Sequence, residues 1–196
     1  MVQIRDVAMR HVPRYMLRGP GEVGATVKLD ESDSHHLTRV MRRRVGDALE
    51  LIDGHGGIWE AILSEAGPLA SATLIAHRDG PPAPRVVLAV GITEAGRLDL
   101  VVEKATELGV GQIVVFSSAR ARRIPDADAW TRRFARFTRV AEAAARQSGR
   151  AALPQLRGVV PFHEVIEEIP HGAGLIIDPR GDLSLTQALA GPAARA

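Results

Sequence analysis

Residues 78–85 read RDGPPAPR, and this segment constrains the fold more than any other part of the chain. Three prolines and one glycine lie within it. Proline lacks a backbone N–H and glycine is conformationally permissive, so no regular helix or strand is expected to run through the segment. The sequence therefore predicts two structural units, residues 1–80 and residues 81–196, which is compatible with the length of 196 residues.

The first unit is rich in short apolar runs. The turn at 54–57 (GHGG) is typical of a β-hairpin. One helix is predicted at about 34–41, with Asp33 or Ser34 as its N-cap. The predicted strands are 23–29, 48–52, 58–63 and 71–76. Short strands around a single helix predict a small β-barrel.

The second unit alternates strands with helices, which favours a parallel α/β sheet. The predicted strands are 86–92, 112–116 and 174–178, and the predicted helices are 97–108, 127–147 and 162–169. Gly109 and Gly149 are positioned to end the first two helices. Three strands leave the faces and edges of such a sheet difficult to cover. Either the sheet is unusually small, or the chain stops before the fold is complete.

Basic residues are clustered and are nearly all arginine. Of 25 basic residues only Lys28 and Lys104 are lysines, and residues 120–150 hold nine arginines against three acidic residues. A guanidinium fork matches phosphates and base edges, although a GC-rich genome explains the same bias. The clustering makes nucleic acid the leading class of partner.

The helix predicted at 127–147 separates apolar from basic residues. An apolar stripe at helical spacing consists of Trp130, Phe134, Phe137, Ala141 and Ala144. The opposite side carries a row of arginines, namely Arg132, Arg136, Arg139 and Arg146. The row is either an ordinary solvated face or a ridge that follows a phosphate backbone. No glutamates alternate with the arginines along it, which favours the second interpretation.

Other classes of site leave weaker signals. Cysteine is absent, which excludes thiolate chemistry, and the glycine patterns of dinucleotide and triphosphate sites are missing. Asp99, Glu103 and Glu107 recur on one helix face, so a small-molecule enzyme that uses a divalent ion is an alternative. No apolar run approaches the roughly 18 residues of a membrane span, and the first residues lack a secretory core. We expect a cytoplasmic protein without a membrane segment.

Several motifs together resemble those of the 16S ribosomal RNA (uracil-N3)-methyltransferases, the RsmE type. They are HHLTRVMRRRVGD (35–47), LIDG (51–54), VEKATELGV (102–110), SAR (118–120), RQSGRAALP (146–154) and the beginning MRHVPRY (9–15). The resemblance covers nearly the whole chain. It implies a PUA-like β-barrel followed by a SPOUT-type parallel α/β domain, whose C-terminal segment forms a knot around S-adenosylmethionine.

The chain departs from the family pattern in three places. Ala119 stands where the family commonly has an acid, and Arg146 where it commonly has glutamate. The family's glycine-rich Gly-Pro-Glu-Gly-Gly loop and its later arginine-containing segment are both missing. These stretches form the knot and most of the cofactor pocket, so we expect the chain to be C-terminally truncated and active only if the natural protein carries the missing segment.

The resemblance implies methyl transfer from S-adenosylmethionine to N3 of a uridine in 16S rRNA of the small ribosomal subunit, without a metal, by a protein that is a homodimer at full length. On the substrate side it implies Arg120, Gln147 and Arg150, and for the cofactor Asp178 and Pro179. For RNA it implies Arg14, His36, Arg39 and Arg42, to which the helix row adds Arg132, Arg136 and Arg139. We expect Arg39, Arg120 and Arg150 to face one cleft. The alternative is a non-catalytic RNA-binding remnant of such an enzyme.

Overall fold

A computed structural model describes residues 12–82, 84–119, 121, 124, 126–169, 174–178 and 180–190. It confirms the predicted α/β class, with a curled N-terminal sheet and a separate parallel sheet. Within these residues no helix is both long enough and apolar enough to cross a membrane.

The N-terminal sheet has five strands in the order β1-β3-β4-β5-β2. They are β1 (Arg14–Met16), β2 (Thr26–Lys28), β3 (Ala48–Ile52), β4 (Gly57–Glu65) and β5 (Ser71–Asp79). The pairs β3–β4, β4–β5 and β2–β5 are antiparallel, whereas β1 runs parallel to β3. Strand β1 is missing from the prediction because Arg14–Met16 is too short to show a period. The sheet curls around a core that includes Tyr15, Leu37, Leu49, Leu63 and Leu74.

The predicted hairpin turn joins β3 to β4. Asp53 Oδ1 accepts hydrogen bonds from the backbone N–H groups of His55 (2.8 Å) and Gly57 (3.0 Å). Gly54 and Gly56 have positive φ angles of 80° and 114°, which residues with a Cβ rarely adopt. The glycines and the aspartate together explain why the chain reverses here.

The helix of this unit begins earlier than predicted. Helix α1 (Glu31–His35) is capped by Asp30, whose Oδ1 accepts from the Asp33 N–H at 2.8 Å. Asp33 and Ser34 were predicted as caps but are buried, because their side chains have tertiary partners: Ser34 Oγ accepts from the Ala70 N–H at 2.9 Å. After α1 the helix widens into a π-helical turn, His36–Val40.

The second sheet has three parallel strands in the order β6-β7-β8. They are β6 (Val87–Gly91), β7 (Gln112–Ser117) and β8 (Gln155–Pro161). The helices are α2 (Ala95–Leu108), α3 (Ala127–Ser148), α4 (Phe162–Glu167) and α5 (Leu185–Ala190). Gly109 and Gly149 end α2 and α3 in left-handed conformation, as predicted.

The third strand was predicted at the wrong place. Residues 174–178 form no regular structure, and Ile177 in this run is 88% exposed. Strand β8 lies instead at Gln155–Pro161, where a terminal proline and a central glycine weaken the β signal. Gly158 is explained by packing, because a Cβ there would lie 3.1 Å from both Trp130 and Val115. Strand β8 therefore depends on its pairing with β7, which sequence periodicity does not reveal.

Helix α3 and the chain after it join the two sheets. An apolar cluster contains Met16, Ile52 and Ile58 from the first sheet together with Ala145 and Ala151. The Leu153 N–H donates to the Gly54 carbonyl at 2.9 Å, which fixes the β3–β4 turn to this segment. We call this contact region, residues 141–153 with their partners in the first sheet, the joint.

Candidate functional site

Two ion pairs surround the apolar part of the joint, and the first links Arg18 to Glu142. The guanidinium donates to both carboxylate oxygens, at 2.6 and 2.8 Å, in a bidentate arrangement. Glu142 is only 9% exposed, and Arg18 also lies 3.6 Å from Asp30. Charge-assisted bidentate bonds of this kind fix orientation as well as distance.

The second ion pair joins Arg146 to Asp33. The Asp33 side chain is 5% exposed, and its Oδ2 has no hydrogen-bond partner within the described part of the chain. Burial is the main cause that raises the pKa of Asp33 above its usual value, while Arg146 opposes the shift. The prediction that Arg146 lies on an exposed basic row is therefore wrong, because a buried carboxylate on the other unit holds it.

Arg14 is also part of the contact between the units. Its Nη2 lies 2.6 Å from Glu50 Oε2, and its Nη1 donates to the Gly149 carbonyl. Burial would raise the pKa of Glu50, but hydrogen bonds and charge from Arg14 and Arg78 lower it overall. The Arg14 side chain is 13% exposed. These contacts occupy its guanidinium, so we leave Arg14 out of the RNA surface proposed below.

Gln147 and Arg150 lie together at the end of α3. Gln147 is exposed in the last turn of the helix, and Arg150 follows the left-handed Gly149. Arg150 Nε donates to the Glu107 carbonyl at 3.1 Å, and its guanidinium covers Gly109, where a Cβ would be 2.6 Å from Nη1. Arg150 thus interacts with the C-terminal end of α2, where carbonyl groups and the helix dipole favour a cation. Arg120 lies outside the described residues.

The first half of α3 confirms the predicted apolar stripe. Phe137 and Ala141 are 1% exposed, and the rings of Trp130, Phe134 and Phe137 contact one another at centroid distances of 5.5 to 6.3 Å. On the other side Arg132 and Arg139 are exposed. Arg136 is 61% exposed, and its Nη2 lies 2.5 Å from Asp99 on α2. Arg132, Arg136 and Arg139 are the basic residues that the predicted row presents at the surface.

The acidic face of α2 is already occupied by cations. Asp99 pairs with Arg136, while Lys104 lies 2.8 Å from Glu103 and 2.9 Å from Glu107. In the described ranges no group of three His, Cys, Asp or Glu residues is arranged to hold a metal ion. The alternative of a divalent-ion enzyme on this face finds no support in the geometry.

The predicted basic residues of the first unit lie on and after the π-helical turn. His36 Nδ1 is 2.9 Å from the Tyr15 hydroxyl, and burial is the main cause that raises the pKa of Tyr15 to about 12. Arg39 and Arg42 are exposed. Arg39 lines a cavity of about 460 Å³ whose described lining residues all belong to the first unit, and Arg150 is not among them. This cavity is therefore not the predicted cleft that Arg39 and Arg150 would share.

Of the two predicted cofactor residues, Pro179 lies outside the described part of the chain and Asp178 lies in an exposed segment. Asp178 Oδ1 accepts from the backbone N–H of Arg180 at 2.9 Å and from its Nε at 3.0 Å. These hydrogen bonds lower the pKa of Asp178. The carboxylate is therefore ionised and oriented at neutral pH.

Sequence analysis identified the exposed basic residues but missed the residues that join the two units. Arg18 and Glu142 are 124 positions apart, and nothing local marks either one as half of a pair. The signal that was available is the acid Glu142 on the buried side of α3, in a helix whose other charged residues after Asp128 are all arginine.

Two family models match the chain. Residues 81–195 match the RNA methyltransferase domain, and residues 29–70 match the RNA methyltransferase PUA domain. A crystal structure of ribosomal RNA small subunit methyltransferase E from Neisseria gonorrhoeae bound to S-adenosyl methionine is 27% identical with a TM-score of 0.73. The match covers 83% of this chain and 68% of that one.

Curated relatives named ribosomal RNA small subunit methyltransferase E match over most of this chain. The Synechocystis protein is 28% identical over 149 residues, which is 75% of this chain and 48% of that protein. The Mycobacterium bovis protein is 29% identical over 162 residues, which is 80% of this chain and 62% of that protein. The matched part of the chain thus spans between about half and three-fifths of these relatives.

Proposed function

The chain belongs to the RNA methyltransferase family, and on this premise we propose that it acts in S-adenosylmethionine-dependent methylation of uridine N3 in 16S rRNA. The partner is the small ribosomal subunit, the compartment is the cytoplasm, and the working unit is a homodimer. The observation that carries the proposal is the order of two matched domains, a PUA domain at 29–70 and a methyltransferase domain at 81–195. The contacts between them at the joint support a single RNA substrate for both.

The chemistry of the residues near Asp178 fits a nucleoside cofactor. The ionised Asp178 carboxylate can accept hydrogen bonds from ribose hydroxyls. Leu175, Ile176 and Ile177 before it are 51%, 76% and 88% exposed and offer apolar contact to an adenine ring. When bound, S-adenosylmethionine supplies an electrophilic methyl group. We assign Asp178 and Pro179 to its binding.

On the substrate side we propose Arg120, Gln147 and Arg150. Gln147 is exposed at the end of α3, and its amide presents both a donor and an acceptor, as the edge of uracil requires. Loss of the N3 proton places negative charge on the uracil carbonyl oxygens. A fixed guanidinium beside those oxygens stabilises that charge, and the hold of Arg150 on the Glu107 carbonyl restricts its movement before the substrate arrives.

RNA contact in this proposal involves both units. The residues that we propose to contact RNA are all exposed, namely His36, Arg39, Arg42, Arg132, Arg136 and Arg139. A base inside a helix is out of reach of a methyl donor, so the target uridine must leave its stack, and contacts to the flanking backbone help to hold it there. Positioning of N3 against the methyl group then supplies much of the rate enhancement.

Methyl transfer from labelled S-adenosylmethionine to unmodified 16S rRNA tests the proposal. We expect label at one uridine and a reverse-transcription stop there, because a methyl group on N3 blocks base pairing. Gln147→Ala is expected to lower the rate at unchanged stability, and Gln155→Ala, an exposed residue at the start of β8, serves as the matched control. Label on a ribose or on another base atom would overturn the assignment to N3.

The second candidate, a non-catalytic RNA-binding module, is favoured by the exposed arginines of the first unit and of α3. It predicts RNA affinity that falls steeply with salt and no incorporation of label in the same assay. The methyl-transfer experiment therefore separates the two candidates directly.

A further inference from the structure

The cavity beside Arg39 is lined by basic side chains, as a site for an anion would be. It measures about 460 Å³ and is lined by His35, Thr38, Arg39 and Arg43 on one side and by Ala66, Gly67 and Pro68 on the other. The first group belongs to the segment around the π-helical turn, and the second to the loop between β4 and β5. Among the residues that the structure describes, no acidic side chain lines the cavity. A cavity of this volume accommodates a nucleotide, whereas a lone ion would leave it largely empty.

The backbone that forms the basic wall departs from regular helix geometry. The Met41 N–H donates to the His36 carbonyl at 2.8 Å, and the Arg43 N–H donates to the Leu37 carbonyl at 3.0 Å, so the turn is wider than an α-helix. Arg42 has a φ of 52°, a conformation uncommon for a residue with a Cβ. π-Helical turns and residues in such conformations concentrate at functional sites. Here they end the helix and set the basic side chains around the cavity.

The hydrogen-bonding chemistry of the walls distinguishes phosphate from base. The exposed Arg39 guanidinium can donate to phosphate oxygens, and Arg43 adds positive charge to the same wall. The Thr38 hydroxyl already donates to the Ser34 carbonyl at 2.8 Å, so it can only accept, as from a ribose hydroxyl. Within the described part of the chain, no aromatic ring lines the cavity for base stacking. We propose that this cavity binds one ribonucleotide of the RNA backbone through its phosphate and 2′-hydroxyl, at a position other than the methylated uridine.

This inference rests on the proposed function in one respect, that the chain binds RNA. It adds an anchoring site in the first unit that reads no base. Because the contacts go to phosphate and sugar, the site fixes where the RNA lies and contributes affinity to every sequence equally.

Gly67 allows the site to be tested without disturbing the fold. A Cβ at Gly67 meets no atom within 4 Å, so a longer side chain is accommodated in open space at the cavity wall. We compare Gly67→Glu, which adds a negative charge to the basic wall, with Gly67→Gln, which has the same shape without the charge. The readout is affinity for a single-stranded 16S rRNA fragment measured at several salt concentrations, beside the melting temperature of each variant.

We expect Gly67→Glu to weaken RNA binding by about tenfold or more at low salt, because a carboxylate repels the phosphate across a short distance. Gly67→Gln is expected to remain within about twofold of the wild type. Arg39→Ala should reduce the slope of log affinity against log salt by about one unit, while Arg44→Ala, an exposed arginine of the same segment that does not line the cavity, should leave the wild-type affinity nearly unchanged.

Two unfavourable results are distinguishable. If the wild type binds the RNA fragment and Gly67→Glu binds it equally, the cavity is not an RNA site, although the proposed function stands. If the wild type does not bind RNA at any salt concentration, both proposals are wrong. Competition by inorganic phosphate gives a second check. If phosphate displaces RNA from the wild type and from Gly67→Glu at the same concentrations, the RNA affinity belongs to another surface.

DNA of the same sequence tests the ribose contact. We expect the wild type to bind RNA several-fold more tightly than DNA, and Thr38→Val to bring the ratio close to one. A ratio that Thr38→Val leaves unchanged would overturn the contact between Thr38 and the 2′-hydroxyl.

Discussion

The two halves of α3 carry the same kind of side chain and use it differently. In the first half Arg132 and Arg139 are exposed, and Arg136 pairs with Asp99 at a side-chain exposure of 61%. In the second half Arg146 pairs with the buried Asp33 of the other unit, and Glu142 pairs with Arg18. One row of arginines along a single helix thus serves an open surface at one end and a domain contact at the other.

The difference teaches that helical periodicity gives the direction of a side chain but not what lies opposite it. From Trp130 to Ala141 the apolar stripe of α3 packs with α2 and the second sheet, whereas the arginine row faces solvent only until the first unit begins to cover it. Where the first unit covers the row, an arginine forms an ion pair, and its contribution to stability depends on the partner carboxylate.

The largest expected effect comes from removing Arg146. Arg146→Ala leaves the Asp33 carboxylate, which is 5% exposed, without its cation. Breaking a fully buried pair costs about 3–5 kcal/mol, and because Arg146 is 30% exposed we expect about 2–3 kcal/mol. The control is Arg139→Ala in the solvent-exposed first half of α3, residues 127–140, which we call the open half. It should change the unfolding free energy by less than about 0.5 kcal/mol. Urea denaturation measures both, and equal losses would remove the distinction between the halves.

Overpacking of the joint should have the next largest effect. Ala145 is fully buried there, at 0% exposure, whereas Ala143, two residues earlier, is exposed. We expect Ala145→Leu to destabilise the chain by about 1–3 kcal/mol because the added carbons have no space. Ala143→Leu should stay within about 0.5 kcal/mol of the wild type. An Ala145→Leu variant that melts like the wild type would show that the joint is loose.

The open half is expected to affect RNA affinity more than stability. Replacing Arg132 and Arg139 together by alanine should lower the slope of log affinity against log salt by about two units if each contacts a phosphate. Binding of a 16S rRNA fragment at several salt concentrations measures the slope. An unchanged slope would return these arginines to the solvated surface that the sequence also allowed.

The smallest effects concern pH, and they have opposite signs for two carboxylates, the buried Asp33 and the half-buried Glu50. The pKa of Asp33 is raised from 3.8, so the folded state holds the proton to higher pH and wild-type stability relative to Asp33→Asn should fall as pH rises from 3.8. The pKa of Glu50 is lowered from 4.5, so wild-type stability relative to Glu50→Gln should be present above 4.5 and disappear as pH falls below it. Unfolding free energies between pH 3 and 7 test both directions, and differences of the same sign would contradict the assignment.

The elements that sequence reasoning located are those whose signals are local. The turn at Asp53–Gly57, the glycine that ends α3 and the aromatic stripe from Trp130 to Phe137 all depend on neighbours in the chain. The misplaced third strand shows the opposite case. Residues 174–178 are more apolar than Gln155–Pro161, but β8 exists because β7 offers it parallel hydrogen bonds.

The candidate site divides in the same way. Arg39, Arg42 and Gln147 are exposed, in keeping with the roles that their motifs suggested. Arg14 and Arg146 belong to those motifs too, but the Arg14 guanidinium bonds Glu50 of its own unit and the Gly149 carbonyl of the other, and the Arg146 guanidinium bonds Asp33 of the other unit. Pairing over more than 100 residues depends on how the two units dock, and no pattern within either unit encodes it.

Hydrogen–deuterium exchange with and without a 16S rRNA fragment tests the central claim most directly, since it reports on both halves of α3 at once. We predict that RNA slows exchange in residues 35–43 and 127–140, and that residues 141–153 in the joint exchange slowly in both conditions with no change. Protection confined to 141–153, with none at the π-helical turn or at the open half of α3, would contradict the account.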